Sequence, residues 1–137
     1  MLTGSSAVQK QQDSLRAAQI KVVADTIAAK NTRTLPVIVA GDFNSWQNYR
    51  AGNSPHDALI AKGYTDSVAA TTQVNLRYST LNDFQKTLKP GAQGSGPRLD
   101  MILSKGMRGA TRFENVMKVT DSSRPSDHNL ILADLVY

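Results

Sequence analysis

Five residues in three short stretches have the types and the placement to do chemistry. Asp42 and Asn44 stand one residue apart in Gly41-Asp42-Phe43-Asn44, Asp100 lies within Arg98-Leu99-Asp100-Met101-Ile102-Leu103, and Asp127-His128 precede the last apolar run. The chain has no cysteine, which excludes disulfides, thiolate metal sites and a cysteine nucleophile. What remains is carboxylate, amide and imidazole chemistry beside strands, where α/β folds place their ligands. Each residue also has a plainer reading. Asp42, Asn44 and Asp127 are ordinary turn residues, and a single histidine at a strand start is commonly structural.

The elements that must position these groups are legible from periodicity. Val37 to Ala40 is a short β-branched run bounded by Pro36 and Gly41, the pattern of a strand buried on both faces. Asp42 and Asn44 follow it, with i and i+2 side chains pointing to one side. Arg98 to Leu103 alternates, with Leu99, Met101 and Leu103 on one face and Asp100 and Ile102 on the other. A carboxylate inside such a strand needs a partner, because a dry unpaired charge costs several kcal/mol at order of magnitude. Thr111 to Val119 is a weaker strand, and Asn129 to Tyr137, broken only by Asp134, reads as a central strand.

Two helices are expected. Val8 to Lys30 spaces Leu15, Ala18, Val22 and Ile20, Val23, Ile27 by three and four residues, giving a broad apolar face to lay on a sheet. Ser54, Pro55 and Gly63 punctuate a shorter helix around Ala58, Leu59 and Ile60. His56 in its first turn reads as an exposed residue with no catalytic role. Tyr64 to Val68 starts an extended piece, residues 69 to 97 are mostly polar, and Pro90 to Pro97 is a loop by composition.

At 137 residues the chain is one domain's worth of sequence. Its net charge of +5 and pI near 9.7 favour an anionic partner such as nucleic acid, another phosphate ester or an anionic membrane surface. No stretch approaches the roughly 18 apolar residues of a transmembrane segment, and no signal sequence opens the chain. The compartment is therefore unknown from the sequence, and secretion directed by an upstream signal is compatible with it.

Taken in series, Val39-Ala40-Gly41-Asp42-Phe43-Asn44, Arg98-Leu99-Asp100-Met101-Ile102-Leu103 and Ser126-Asp127-His128 before a hydrophobic strand resemble the endonuclease/exonuclease/phosphatase superfamily of metal-dependent phosphoesterases. The resemblance implies roles. The acid matching Asp42 orients or deprotonates the attacking water, and the amide matching Asn44 donates to the phosphate. The acid matching Asp127 helps hold Mg2+ or Mn2+. The histidine matching His128 contacts the phosphate or the water, and the acid matching Asp100 hydrogen-bonds that histidine. Trp46, Arg77 and Tyr78 fall where such enzymes carry substrate-contacting loops, so that Trp46 and Tyr78 would stack on a base or headgroup and Arg77 would meet a phosphate.

The fold so implied is α/β (α+β), half of a four-layer α/β/β/α sandwich with a mixed, mostly antiparallel sheet and helices on its outer face. Residues 1–137 correspond to the C-terminal half of the family's domain. The strand-borne Asn and the Glu that is the principal metal ligand in complete members have no counterpart here. The expected function is thus the C-terminal part of a divalent-metal phosphoesterase, a nuclease by its charge, with a phosphatase or a sphingomyelinase-like phospholipase as alternatives. A non-catalytic binding or assembly module is the rival from another class. Alone, the chain is expected to bind the cation weakly, to be nearly inactive, and to self-associate or pair with an N-terminal half.

Overall fold

A computed structural model describes residues 6–46, 54–91, 96–118 and 124–137. In order these form α1 (Ser6–Lys30), β1 (Val37–Asp42), α2 (Ser54–Ala61), β2 (Thr65–Asp66), a 3-10 turn (Ser67–Ala69), β3 (Thr72–Val74), β4 (Asp100–Lys105), β5 (Gly109–Val116) and β6 (Leu130–Val136). The strands make two three-stranded sheets, β1-β4-β2 and β3-β5-β6. All pairings are antiparallel except β3 with β5. The architecture is α+β, with mostly antiparallel sheets, as the sequence led us to expect.

Alternation in β4 decides where the core sits. Met101 and Leu103 are fully buried and meet Ile20 and Ala24 of α1, Leu59 of α2, and Tyr64, with Val37, Val39, Phe43 and Ala58 packed around them. Asp100 and Ile102 face the other way and are half-buried. The apolar stripe of α1 is narrower than its spacing suggests, since Leu15, Val22 and Val23 are exposed while Ile20 and Ala24 carry the packing. α2 ends as its punctuation predicts. Gly63 takes φ +83°, its N–H donates to the Ile60 carbonyl and that of Tyr64 to Leu59, a left-handed C-cap that favours glycine.

Two strand expectations are corrected. β1 lies at the edge of its sheet and Ile38 is 54% exposed, so this run is not buried on both faces. β6 is likewise an edge strand, with Leu130 and Leu132 exposed, although its apolar sequence reads as central. Apolar composition records what a strand is able to bury, and in the described chain nothing covers these outer faces.

The described residues of the polar stretch from 69 to 97 are more structured than a loop. They supply β3 and include Thr80 and Asn82, which are almost fully buried. Gly96 lets the chain pass directly over this segment, because a Cβ there would lie 2.1 Å from the Tyr78 carbonyl carbon.

Candidate active site

The register of β1 on β4 places Asp42 directly across from Asp100. Opposed residues of an antiparallel pair share a face, so two carboxylates are brought together, an arrangement that repels unless compensated. Compensation comes from local groups. Asn44, held at φ +49° just past the end of β1, donates its backbone N–H to Asp42 Oδ1 at 2.7 Å and its side-chain amide to Oδ2 at 3.1 Å. Asn tolerates this left-handed conformation better than most residues. Across the strand pair, His128 Nδ1 sits 2.8 Å from Asp100 Oδ2, while its Nε2 lies 4.0 Å from Asp42 Oδ2. This is the partner that an acid inside β4 requires.

The frame around His128 comes from the buried polar residues of the 79–84 segment. Thr80 Oγ1 accepts the N–H groups of Leu99 and Asp100 at 3.0 and 3.2 Å. Its backbone donates to Pro97 O and accepts from Asn129 N. Leu81 forms a β-bridge with His128. The backbone N–H groups of Asn82 and Asp83 both donate to the Asp127 carbonyl, and Asn82 Nδ2 donates to Ser126 O and Asn129 Oδ1. Arg124 Nη1 donates to the same Asn129 oxygen at 3.0 Å. One short segment therefore clamps the entry to β4 and the entry to β6 together, which fixes Asp100 against His128.

The electrostatics follow from that packing. Partial burial works against the charged imidazole of His128, yet the hydrogen bond and charge of Asp100, with the charges of Asp42 and Asp127, hold its pKa above the ordinary 6.5. The imidazolium is favoured, and it is oriented through Nδ1 so that Nε2 is turned toward Asp42. His128 is 24% exposed, Asp42 36% and Asp100 14%. The accessible pair can meet a substrate, and the more buried Asp100 acts as the orienting group.

Asp42, Asp100 and His128 offer donor atoms within 4.8 Å of one another. Because His128 Nδ1 is committed to Asp100, the oxygens of Asp42 and Asp100 are what this cluster presents to a cation, and oxygen donors suit Mg2+ or Mn2+. Asp127, expected as the metal ligand, lies outside this cluster. Its carboxylate meets Ser126 Oγ at 3.5 Å and acts on His128 by its charge. Three carboxylates thus surround one imidazole, an excess of negative charge that a divalent cation would neutralise.

The structure brings Asp42, Asn44, Asp100 and His128 together and separates the expected substrate contacts. Trp46 is half-buried and lines a cavity with Asn44. Arg77 instead lies 5.0 Å from the centroid of the Tyr78 ring, and neither residue lines that cavity.

A second polar cluster was not legible in the sequence. Asp66 is buried and accepts from Arg98 Nη2 at 2.8 Å and from the N–H of Val68, while His56 Nε2 lies 3.2 Å from its carboxylate. His56 is therefore not an exposed helix residue, since its side chain is 18% exposed and paired. Nothing in the spacing of residues 56, 66 and 98 signals this cluster. Thr80 and Asn82 were equally silent, because a buried polar residue in an irregular segment has no periodicity.

Comparison with known proteins places these observations in a family. The model of the endonuclease/exonuclease/phosphatase family matches residues 11–128. Among solved structures, the chain is similar to a mannosyl-6-phosphatase from Bacteroides thetaiotaomicron VPI-5482, with 23% identity and a TM-score of 0.67, over 89% of this chain and 46% of that one. It is also similar to an endonuclease/exonuclease/phosphatase family protein from Bacteroides thetaiotaomicron (23% identity, TM-score 0.68, 88% and 45% covered). A functionally unknown conserved protein from Enterococcus faecalis V583 matches comparably (24% identity, TM-score 0.68, 88% and 44% covered). The chain thus spans less than half the length of these structures. No sequence among the curated proteins matches it.

Proposed function

The chain belongs to the endonuclease/exonuclease/phosphatase family, and on that premise we propose that it supplies the Asp42, Asn44, Asp100 and His128 part of a divalent-metal-dependent phosphoester hydrolase. One observation carries the reading. His128 is held by Asp100 at 2.8 Å on one ring nitrogen and faces Asp42 at 4.0 Å with the other, a gap beside which a phosphoryl oxygen or a water can meet both groups.

The roles follow from charge and position. Asp42, oriented by the two Asn44 donors, takes a proton from the attacking water. His128, favoured as the imidazolium, donates from Nε2 to a phosphoryl oxygen as negative charge builds there. Asp100 keeps the imidazole in that orientation. A new bond forms from the water oxygen to phosphorus, the bond from phosphorus to the ester oxygen breaks, and the departing alkoxide takes up, through solvent, the proton that Asp42 received and leaves as an alcohol. A divalent cation held by Asp42 and Asp100, with Asp127 at the next position, would neutralise phosphoryl charge.

The expectation of a nuclease rested on the net charge. Arg98 pairs with Asp66, Arg112 with Glu114, Arg16 with Asp13 and Lys21 with Asp25, and Arg124 is buried against Gln85 and Asn129, while the net charge of +5 is unchanged by these pairs. The hydrolytic reading does not depend on it. The test is hydrolysis of p-nitrophenyl phosphate and bis-p-nitrophenyl phosphate by the chain in Mg2+ or Mn2+. We expect slow metal-dependent turnover that is lost in His128→Ala. Absence of metal-dependent turnover, or turnover unchanged in His128→Ala, would refute the reading.

A further inference from the structure

Beside the carboxylates lies a cavity of about 480 Å³ that no step above uses. It shares Asn44 with the site, the residue whose side-chain amide donates to Asp42 Oδ2. Its walls include Trp46, Leu81, Leu88, Pro97 and Leu99 as apolar surface, and Gln12, Ser79, Asn82, Asp83 and Gln85 as polar groups. A concave, mainly apolar space of a few hundred Å³ with a few polar groups is the form of a small-molecule site. Ser79 and Leu81 flank Thr80, the residue that fixes the entry to β4, so the cavity is built on the same clamp as Asp100 and His128.

The lining discriminates between occupants. Among the described residues, the lining has no lysine, arginine or histidine, and its charged side chain is the carboxylate of Asp83. A polynucleotide would bring further phosphates to these described walls, which offer no cation, although cations supply most of the affinity for such a backbone. The amides of Gln12 and Gln85 and the Ser79 hydroxyl both donate and accept, and Asp83 accepts. Groups with many hydroxyls satisfy that set, while the Trp46 indole and the leucines offer flat apolar surface to one face of a ring. The volume is that of a small-molecule site and not of a polymer groove.

We infer that the cavity holds the alcohol portion of the substrate and that this portion is a single uncharged polyhydroxyl ring, which makes the substrate a phosphate monoester of a sugar-sized alcohol. The inference rests on the hydrolytic reading for the placement of the phosphoryl group, but its own evidence is the lining. Asn44 would mark the boundary between the phosphoryl group at Asp42 and His128 and the ring in the cavity.

Trp46 is the only tryptophan in the chain, so its fluorescence reports the cavity directly and without turnover. The experiment titrates the chain, in Mn2+-free and Mg2+-containing buffer, with mannose 6-phosphate, inorganic phosphate, a nucleoside 5'-monophosphate and a short oligodeoxynucleotide. Mannose 6-phosphate should give a saturable change in Trp46 emission that inorganic phosphate does not reproduce. Leu88→Phe, which fills the cavity, and Asp83→Asn, which removes the carboxylate at a position with left-handed backbone, should each weaken that binding about tenfold. Inorganic phosphate should still compete equally well with mannose 6-phosphate after allowance for the weaker binding. Tighter binding of the nucleotide or the oligonucleotide, or unchanged affinity in both variants, would overturn the inference while leaving the hydrolytic reading intact. Binding of mannose 6-phosphate with no metal-dependent hydrolysis of any ester would do the reverse.

Discussion

His128 Nδ1 lies 2.8 Å from Asp100 Oδ2, and Asp100 in turn stands across the sheet from Asp42. Asp100 therefore acts through the histidine as a positioning residue. Asp100→Asn preserves shape but favours the wrong tautomer, and the template of an acid orienting a histidine places the loss of turnover at about 10²- to 10⁴-fold. Hydrolysis kinetics on the chain check this, with KM expected to change much less than kcat. Asp100→Glu should restore part of the rate, which a role in folding alone would not require.

Thr80 is the hinge pin between the two strand entries, accepting the Leu99 and Asp100 N–H groups through Oγ1. Thr80→Val keeps the volume and leaves two donors in a buried place without their acceptor. The expected cost is about 1–3 kcal/mol, read from urea denaturation. NMR spectra should show Asp100 and His128 shifting together, since one segment holds both.

The Asp66 cluster gives stability a pH window. Burial pushes the Asp66 carboxyl up, but the His56 hydrogen bond and the Arg98 guanidinium outweigh it and hold the pKa below the ordinary 3.8. Its contribution is complete above that ordinary value and is lost as pH falls through the lowered one. For His56, the Asp66 hydrogen bond leads and lifts the pKa above the ordinary 6.5. That contribution is complete below 6.5 and is lost as pH rises through the raised value. Denaturation midpoints against pH should thus show a plateau between about pH 4 and 6.5, and His56→Gln should flatten its alkaline limb and also shrink its acid limb, since the His56 hydrogen bond helps to hold the Asp66 pKa down. Asp66→Asn, which leaves Arg98 without its carboxylate, should cost about 3 kcal/mol at pH 6.

Ile38, Leu130 and Leu132 are exposed on the edge strands β1 and β6. Apolar residues on open sheet edges favour association with another copy or with further strands of the same fold. Analytical ultracentrifugation of the chain should show self-association at micromolar concentration, reduced by Ile38→Ser with Leu132→Ser. A well-folded monomer under those conditions would contradict it.

What the sequence made legible were the local signals. The alternation of Leu99, Met101 and Leu103 told which face of β4 is core, and Gly63 told where α2 stops. Asp100 showed itself as an acid that had to find a partner. The edge positions of β1 and β6 were hidden, because burial depends on neighbours that composition does not name. Thr80, Asn82 and Asn129 were hidden as well. Their importance comes from hydrogen bonds across 17 to 50 positions of sequence, and no local pattern encodes those. Arg77 and Tyr78, expected as substrate contacts from the segment they occupy, lie against each other with the guanidinium 5.0 Å from the ring centroid, a neighbour relation that no periodicity announced.

The central claim is that Asp42, Asn44, Asp100 and His128 form one phosphoryl and cation site, and paramagnetic broadening by Mn2+ tests it most directly. In 1H–15N spectra of the chain titrated with substoichiometric Mn2+, the account predicts that the resonances of these four residues broaden first and together, and that Asp42→Asn abolishes the effect. Broadening centred elsewhere, or unchanged in Asp42→Asn, would contradict it.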